Sequence, residues 1–299
     1  MNQSDISFYG ATTSQQRSSR RIGHMPNLLT RGITLAILLG GSFVVLAPVA
    51  WVVATSLRQP MESFHVPPQW IPLQPDWSNY REVFRQIPFW HQFLNSVSVT
   101  VNIVVGQLIT ASLAGYAFAR LEFPGKTVLF WLVMMTMMVP IQATIIPLYT
   151  LISKYLGLAD TLSSLVLPAL PTAFGTFLLR QYFLMIPVEY EEAAVLDGAN
   201  PWQVFAQIYL PLASSGLAVL GVLTFNFHWN EFFRPLIFLV TKEKFTVPLG
   251  LFDLQGYMMT GSISIVLAGI VLSMIPTVVV YTFGQKYLVE GIMMGGIKV

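Results

Sequence analysis

The sequence predicts an all-α integral membrane protein with six transmembrane helices, a polar loop on the cytoplasmic side and both termini there too. Three observations carry this. Hydrophobic residues fill 54% of the 299 positions and charged residues only 10%, against about a quarter charged in an ordinary soluble domain. Apolar runs long enough to cross a bilayer recur along the chain. Between two of them lies a polar interruption at 187–212, PVEYEEAAVLDGANPWQVFAQIYLPL, with the punctuation of two short helices joined by a turn. Pro187 suits a first helical position, Gly198 the residue after a helix end, and Asn200 followed by Pro201 a cap and a second start.

Residues 1–31 read as a flexible cytoplasmic tail, polar and carrying Arg17, Arg20, Arg21 and Arg31, and this arginine cluster holds the start of the first span (33–57) inside. That apolar run is longer than the core of a secretory signal, so it is a retained span. A polar, proline-rich connection follows to residue 92, and its Trp70, Trp77, Tyr80 and Trp90 suit a membrane interface. The second span covers 93–118. Span three, 128–151, contains Pro140 and Pro147 and is expected to bend or unwind locally. Span four, 162–183, holds Pro168, Pro171 and Gly175; span five, 212–230, rises after the polar loop. An outer segment, 231–262, precedes the last span at 263–281, and residues 291–299 form a cytoplasmic tail. The membrane body is thus 32–290.

Composition and motifs exclude several functions. The chain has no cysteine, hence no thiolate nucleophile, disulfide or Cys-based metal site. Gly125-Lys126-Thr127 looks like the end of a phosphate-binding loop, but the earlier glycine position is Arg120 and Pro124 sits in the turn. No HExxH or GxSxG occurs, and His24, His65, His91 and His228 are scattered. Catalytic residues, a metal site, a bound cofactor and nucleic-acid binding are not expected. No span as drawn carries Asp, Glu, Lys or Arg near its middle, unlike many proton-driven carriers. The chain reads as a conduit driven from elsewhere.

Within the first short helix of the loop, Tyr190, Ala193, Ala194 and Asp197 share a face, and Glu189, Glu191 and Glu192 crowd the N-terminal turn, where the helix dipole favours carboxylates. Two adjacent alanines leave a shallow surface that another protein can approach. Glu192-Ala193-Ala194, then Gly198, then Ile208, Leu210 and Pro211 match the EAA-loop pattern of permease subunits in bacterial carbohydrate-type ABC importers, and the chain resembles that family. The likeness extends over AGYAFARLEFPGK, FGTFLLRQYF, WNEFFRPLIFL and the C-terminal YLVEGIMMGGIKV.

The resemblance implies one half of a permease pair in the bacterial plasma membrane. The implied partners are a homologous permease, an ABC ATPase dimer holding ATP and Mg, and an extracytoplasmic solute-binding protein. Its coupling residues would be Glu192, Ala193, Ala194, Asp197, Gly198, Ile208, Leu210 and Pro211, with Glu192 facing a basic residue of the ATPase. The solute would be a carbohydrate, polyol or glycerol phosphate; the competing reading is a stand-alone secondary transporter.

Polar residues inside spans are costly against lipid and so face a cavity or a partner helix. Inter-helix hydrogen bonding is expected for Asn102 and Gln107. Gln142, Asn226, Trp229 and Asn230 are the candidates for a solute pathway, since amide edges suit hydroxyls and an indole face suits the C–H face of a sugar.

Overall fold

The computed structural model describes residues 28–59, 72, 74–256 and 262–296, so Trp70 and the tails at 1–27 and 297–299 lie outside the described residues. The chain divides between Val49 and Ala50. In the first unit, residues 28–49 are the main part of helix α1, Leu28–Ser56. Ile37, Phe43 and Val45 there are all exposed, as suits a helix that meets lipid rather than water.

The second unit holds the rest. The end of α1 is followed by α2, Ser78–Gln86, a short helix in a stretch read from sequence as a connection. Asn79 anchors it: its side-chain amide donates to the Ser56 and Arg58 carbonyls at 2.9 and 2.8 Å, satisfying groups freed where α1 ends. Helix α3, Phe89–Arg120, is long enough to cross the membrane unaided. Then come α4, Lys126–Thr136, and α5, Ile141–Thr150, continued by a π-helical turn at Leu151–Tyr155. The two halves meet at 97°, with Pro140 extended at the corner, so span three is the broken element its prolines imply.

Span four is not one helix. A short α6, Ser163–Val166, passes through a 3₁₀ turn at Leu167–Ala169 before α7, Ala173–Met185, begins. Pro171 has no N–H to continue a helix, and the Thr172 hydroxyl accepts from the Gly175 amide at 3.1 Å to start the next one. The polar loop supplies α8, Glu189–Leu196, and α9, Pro201–Gln203, which runs through a π-helical stretch, Val204–Tyr209, into α10, Leu210–Leu212. A 72° bend then leads into α11, Ser214–Trp229.

The segment after α11, expected from sequence as an outer segment, folds into α12, Phe233–Phe238, and α13, Val247–Leu254, whose Phe238, Val247 and Leu249 are buried. The last helix, α14, Ile263–Gly296, extends well past the expected end at 281. Among the described residues, three helices can span a membrane by length and composition, or up to five counting each bent pair once.

Helix α3 is the centre of the packing. Gly115 lets α7 approach so closely that a Cβ there would lie 3.0 Å from the Arg180 backbone nitrogen. Gly216 gives α11 the same access to the Tyr182 ring, 2.6 Å from where its Cβ would be. Small residues at crossings are how helices in lipid gain contact where no hydrophobic force draws them together.

The elbow, the cavity and the family

The polar loop is a rigid elbow built by local chemistry. At the end of α8, Gly198 takes φ +86°, a left-handed conformation that costs glycine nothing. Its amide donates to the Val195 carbonyl at 3.0 Å and the Ala199 amide to the Ala194 carbonyl at 2.9 Å, the paired bonds of a Schellman end. Two residues on, Asn200 and Gln203 cap each other reciprocally: the Gln203 amide donates to the Asn200 side chain at 2.9 Å and the Asn200 amide to Gln203 Oε1 at 2.8 Å. One helix therefore ends and the next begins with its free backbone groups satisfied. Pro187 precedes α8 rather than opening it, since the helix starts at Glu189.

The two alanines separate. Ala193 is exposed, whereas Ala194, with Ala199, packs on the core formed by Tyr116, Leu179, Phe183, Phe205, Tyr209 and Leu220. Glu192, Asp197, Gly198 and Pro211 are exposed; Ile208 and Leu210 are half-buried. Leu196, 88% exposed, and its neighbour Val195 form an apolar crest, and Trp202 on the second limb is exposed as well.

Sequence reasoning missed what holds the elbow to the bundle. Arg120, at the end of α3, donates to the Phe183 carbonyl at 2.6 Å and to the Ile186 carbonyl, both at the C-terminus of α7, where a cation also meets the negative end of the helix dipole. The same guanidinium lies 4.9 Å from the centre of the Tyr209 ring, and the Tyr209 hydroxyl donates to Glu191 at 2.6 Å. One arginine thus joins α3, α7 and, through Tyr209, both limbs of the elbow, although in the sequence it registers only as the residue that breaks the phosphate-loop pattern. Nearby, Lys126 of the nucleotide-loop-like fragment pairs with Glu122 at 3.0 Å.

A cavity of about 720 Å³ opens between the corner of span three, the irregular backbone before α7, and α11; Thr136, Pro171, Phe174, Asn226 and Phe227 contribute to its wall. Non-helical backbone at membrane depth is tolerated where it lines a cavity or is covered by protein. One side of the wall is a connected polar network. Gln107 donates to the Ala169 carbonyl at 2.7 Å and accepts from Thr224 at 3.0 Å, and its amide nitrogen lies 3.3 Å from His228 Nε2. His228 Nδ1 is 2.9 Å from Glu231, whose carboxylate takes both Nε and Nη2 of Arg234, while Arg234 Nη1 donates to the Leu165 carbonyl at 3.0 Å.

The four pathway candidates do not converge. Asn226 lines the cavity, and Asn230 donates to its carbonyl at 2.8 Å. Trp229 is buried: its indole N–H donates to the Ser273 carbonyl at 3.0 Å and its ring stacks on Phe225, so it holds α11 against α14. Gln142 is exposed on α5, next to the cavity-lining Ile141. Gln107 makes the expected inter-helix bonds, but Asn102 is exposed and, among the described residues, its amide donates back to the Ser98 carbonyl of its own helix.

Broken spans around a cavity, with a rigid two-helix elbow between two of them, define a membrane transport subunit. The chain belongs to the family of binding-protein-dependent transport system inner membrane components, whose model matches residues 107–293. It is 36% identical over 210 residues to an arabinooligosaccharide transport permease of Halalkalibacterium halodurans, covering 70% of this chain and 75% of the relative. It is 32% identical over 265 residues to an sn-glycerol-3-phosphate transport permease of Escherichia coli O1:K1, covering 85% and 92%. A bacterial ABC transporter for import of the acidic polysaccharide alginate superposes with TM-score 0.73 at 31% identity, over 86% of this chain and 96% of that one. The alginate transporter solved with a pentasaccharide-bound periplasmic protein shares the fold, with TM-score 0.60 at 13% identity.

Proposed function

We propose that this chain is one permease half of an ATP-driven importer for a carbohydrate, polyol or glycerol-phosphate solute. The observation that carries the reading is the elbow: an exposed apolar crest with carboxylates beside it, set on a rigid mount. Val195, Leu196 and Trp202 leave three large apolar side chains exposed on one short elbow, which suits a cleft in another protein better than bulk solvent. In this reading the crossings number six: α1, α3, the α4–α5 pair, the broken segment ending in α7, the limb from α9 through α11, and α14. Both termini and the elbow are cytoplasmic.

An ABC ATPase dimer, which carries ATP and Mg, grips the elbow; a homologous permease completes the pathway, and an extracytoplasmic solute-binding protein delivers the solute. Glu192, Ala193, Asp197 and Gly198 form the contact and its turn. Ala194, Ile208, Leu210 and Pro211 connect it to the bundle. Asn226, with Asn230 behind it and Gln142 near the corner of span three, borders the solute path, and Trp229 stiffens that wall.

Because the chain has no native cysteine, a single cysteine at Leu196 reports on this surface alone. It should crosslink to a co-purifying ATPase and react with a membrane-impermeant thiol reagent only in inside-out vesicles. Labelling from outside, or failure of any ATPase to co-purify, overturns the reading and favours a self-powered carrier.

A further inference from the structure

The ionised network on the cavity wall bears on the solute itself, an inference that rests on the importer reading above. Among the described residues, the ionisable side chains lining the cavity are His228, Glu231 and Arg234. All three are largely buried, with side-chain exposures of 7%, 12% and 5%, and their polar atoms are committed to one another and to the backbone.

The charges on this wall are paired at close range. The Glu231 carboxylate accepts from Nε and Nη2 of Arg234, so the charges of the two cancel. His228 sits against the pair, its Nδ1 2.9 Å from Glu231 and 3.1 Å from Arg234 Nη2, and its Nε2 lies 3.3 Å from the Gln107 amide nitrogen.

The rest of this wall offers hydroxyls, an amide and rings: Thr136, Thr172, Asn226, Phe174 and Phe227. The geometry points to a cavity wall built for a neutral polyhydroxylated solute, with Glu231 neutralising Arg234 so that this half of the pathway does not attract an anion. An anionic solute such as a glycerol phosphate or a uronate would call for an uncommitted cation, and Arg234, whose fork is closed by Glu231 and Leu165, does not supply one.

The absence of native cysteine provides the test. Asn226→Cys is placed in the full complex in proteoliposomes, and its modification rates by anionic, neutral and cationic thiosulfonates are compared with those of a free thiol. The expected ratio of anionic to cationic rates lies within about threefold of the free-thiol ratio. Adding Glu231→Gln should raise it about tenfold, the effect of one uncovered charge on the same cavity wall at an effective dielectric between those of protein and water. The double variant Glu231→Gln/Arg234→Gln, which removes both charges together and leaves no ion buried alone, should return it to the starting value.

A tenfold preference for the anionic reagent without these changes, no response to Glu231→Gln, or an unreactive cysteine overturns the inference. Co-purification of the ATPase is scored in the same samples. A neutral-wall failure with the ATPase retained leaves the importer reading standing; loss of the ATPase removes that reading instead.

Discussion

Replacing Gly198 isolates the mechanical part of the elbow from its contacts. A Cβ at this position meets nothing within 4 Å, so tertiary clash contributes nothing and the effect is that of the backbone alone. At φ +86° an ordinary L residue costs roughly 1–2 kcal/mol, a β-branched one more, and asparagine less because it visits the left-handed region readily. The bonds at stake are the Schellman pair from Gly198 and Ala199, at 3.0 and 2.9 Å. Gly198→Ala should therefore favour local opening of the elbow by about 5- to 30-fold, Gly198→Val by more, and Gly198→Asn by only a few-fold. Hydrogen exchange at the Ala199 amide reads this directly, and global unfolding should hardly move, since the loss is local. In proteoliposomes the solute imported per ATP hydrolysed should fall in the same order, Asn, Ala, Val, while the complex still assembles. If valine and asparagine give the same exchange and the same coupling, the turn is not a mechanical element and the reasoning fails.

Three further outcomes follow from the same structure. Tyr209→Phe keeps the ring beside Arg120 but removes the hydroxyl that reaches Glu191 at 2.6 Å. The loss, about 1.5–3 kcal/mol for a bond to a charged group, should loosen α8 from the π-helical limb and lower the coupling ratio, with ATPase activity kept. Gly216→Leu drives carbon into the Tyr182 ring, where even a Cβ would lie 2.6 Å away; overpacking costs about 1–3 kcal/mol, seen as a lower melting midpoint in detergent. Asp160 links the turn before α6 to the strand-like backbone after α12. The Thr241 hydroxyl first, then Lys244 and the Val240 and Thr241 amides, hold its carboxyl well below the ordinary carboxylate range. Because the folded form is the more acidic, this stabilisation is present above the unfolded value of about 4 and is lost as pH falls through the folded one. Acidification below about pH 4 should therefore lower the melting midpoint less in Asp160→Asn, which lacks the titrating group, than in the unmodified chain.

Local punctuation made the elbow legible. Gly198, Asn200 and Pro201 each act through their own backbone, and the corner of span three follows from Pro140 in the same way. What escaped sequence reading depends on partners distant along the chain. Helix α2 is polar on most of its surface and is held by Asn79 reaching back more than twenty residues to the end of α1. Ala193 and Ala194 look alike as neighbours, but only the second meets the core. Glu231 and Arg234 fall in the outer segment of the sequence, and their spacing of three residues is the sole hint there that they pair. Trp229 offered a sugar-binding face to the eye, yet its N–H is taken by a carbonyl of α14.

The positions that bend explain how a pull on the elbow could reach the cavity. Pro211 deprives the chain of one helical hydrogen bond directly after the π-helical stretch, and the 72° turn at Ala213 follows at once. Above that turn α11 runs unbroken from Ser214 to Trp229, carrying Asn226 and His228 on the cavity side. Below it, Tyr209 and Arg120 tie the limb to α3 and α7. A rigid rod hinged at its foot converts a small rotation there into a larger displacement at its tip. About 13 residues separate Ala213 from Asn226, close to 20 Å at 1.5 Å per residue, so on the importer reading a 10° rotation of α11 about its foot moves the Asn226 wall by about 3 Å, roughly the width of a water molecule. Stiffening the foot should therefore suppress uptake more strongly than altering any one residue of the wall, and Ala213, buried between α10 and α11, is the position at which a larger side chain would do so.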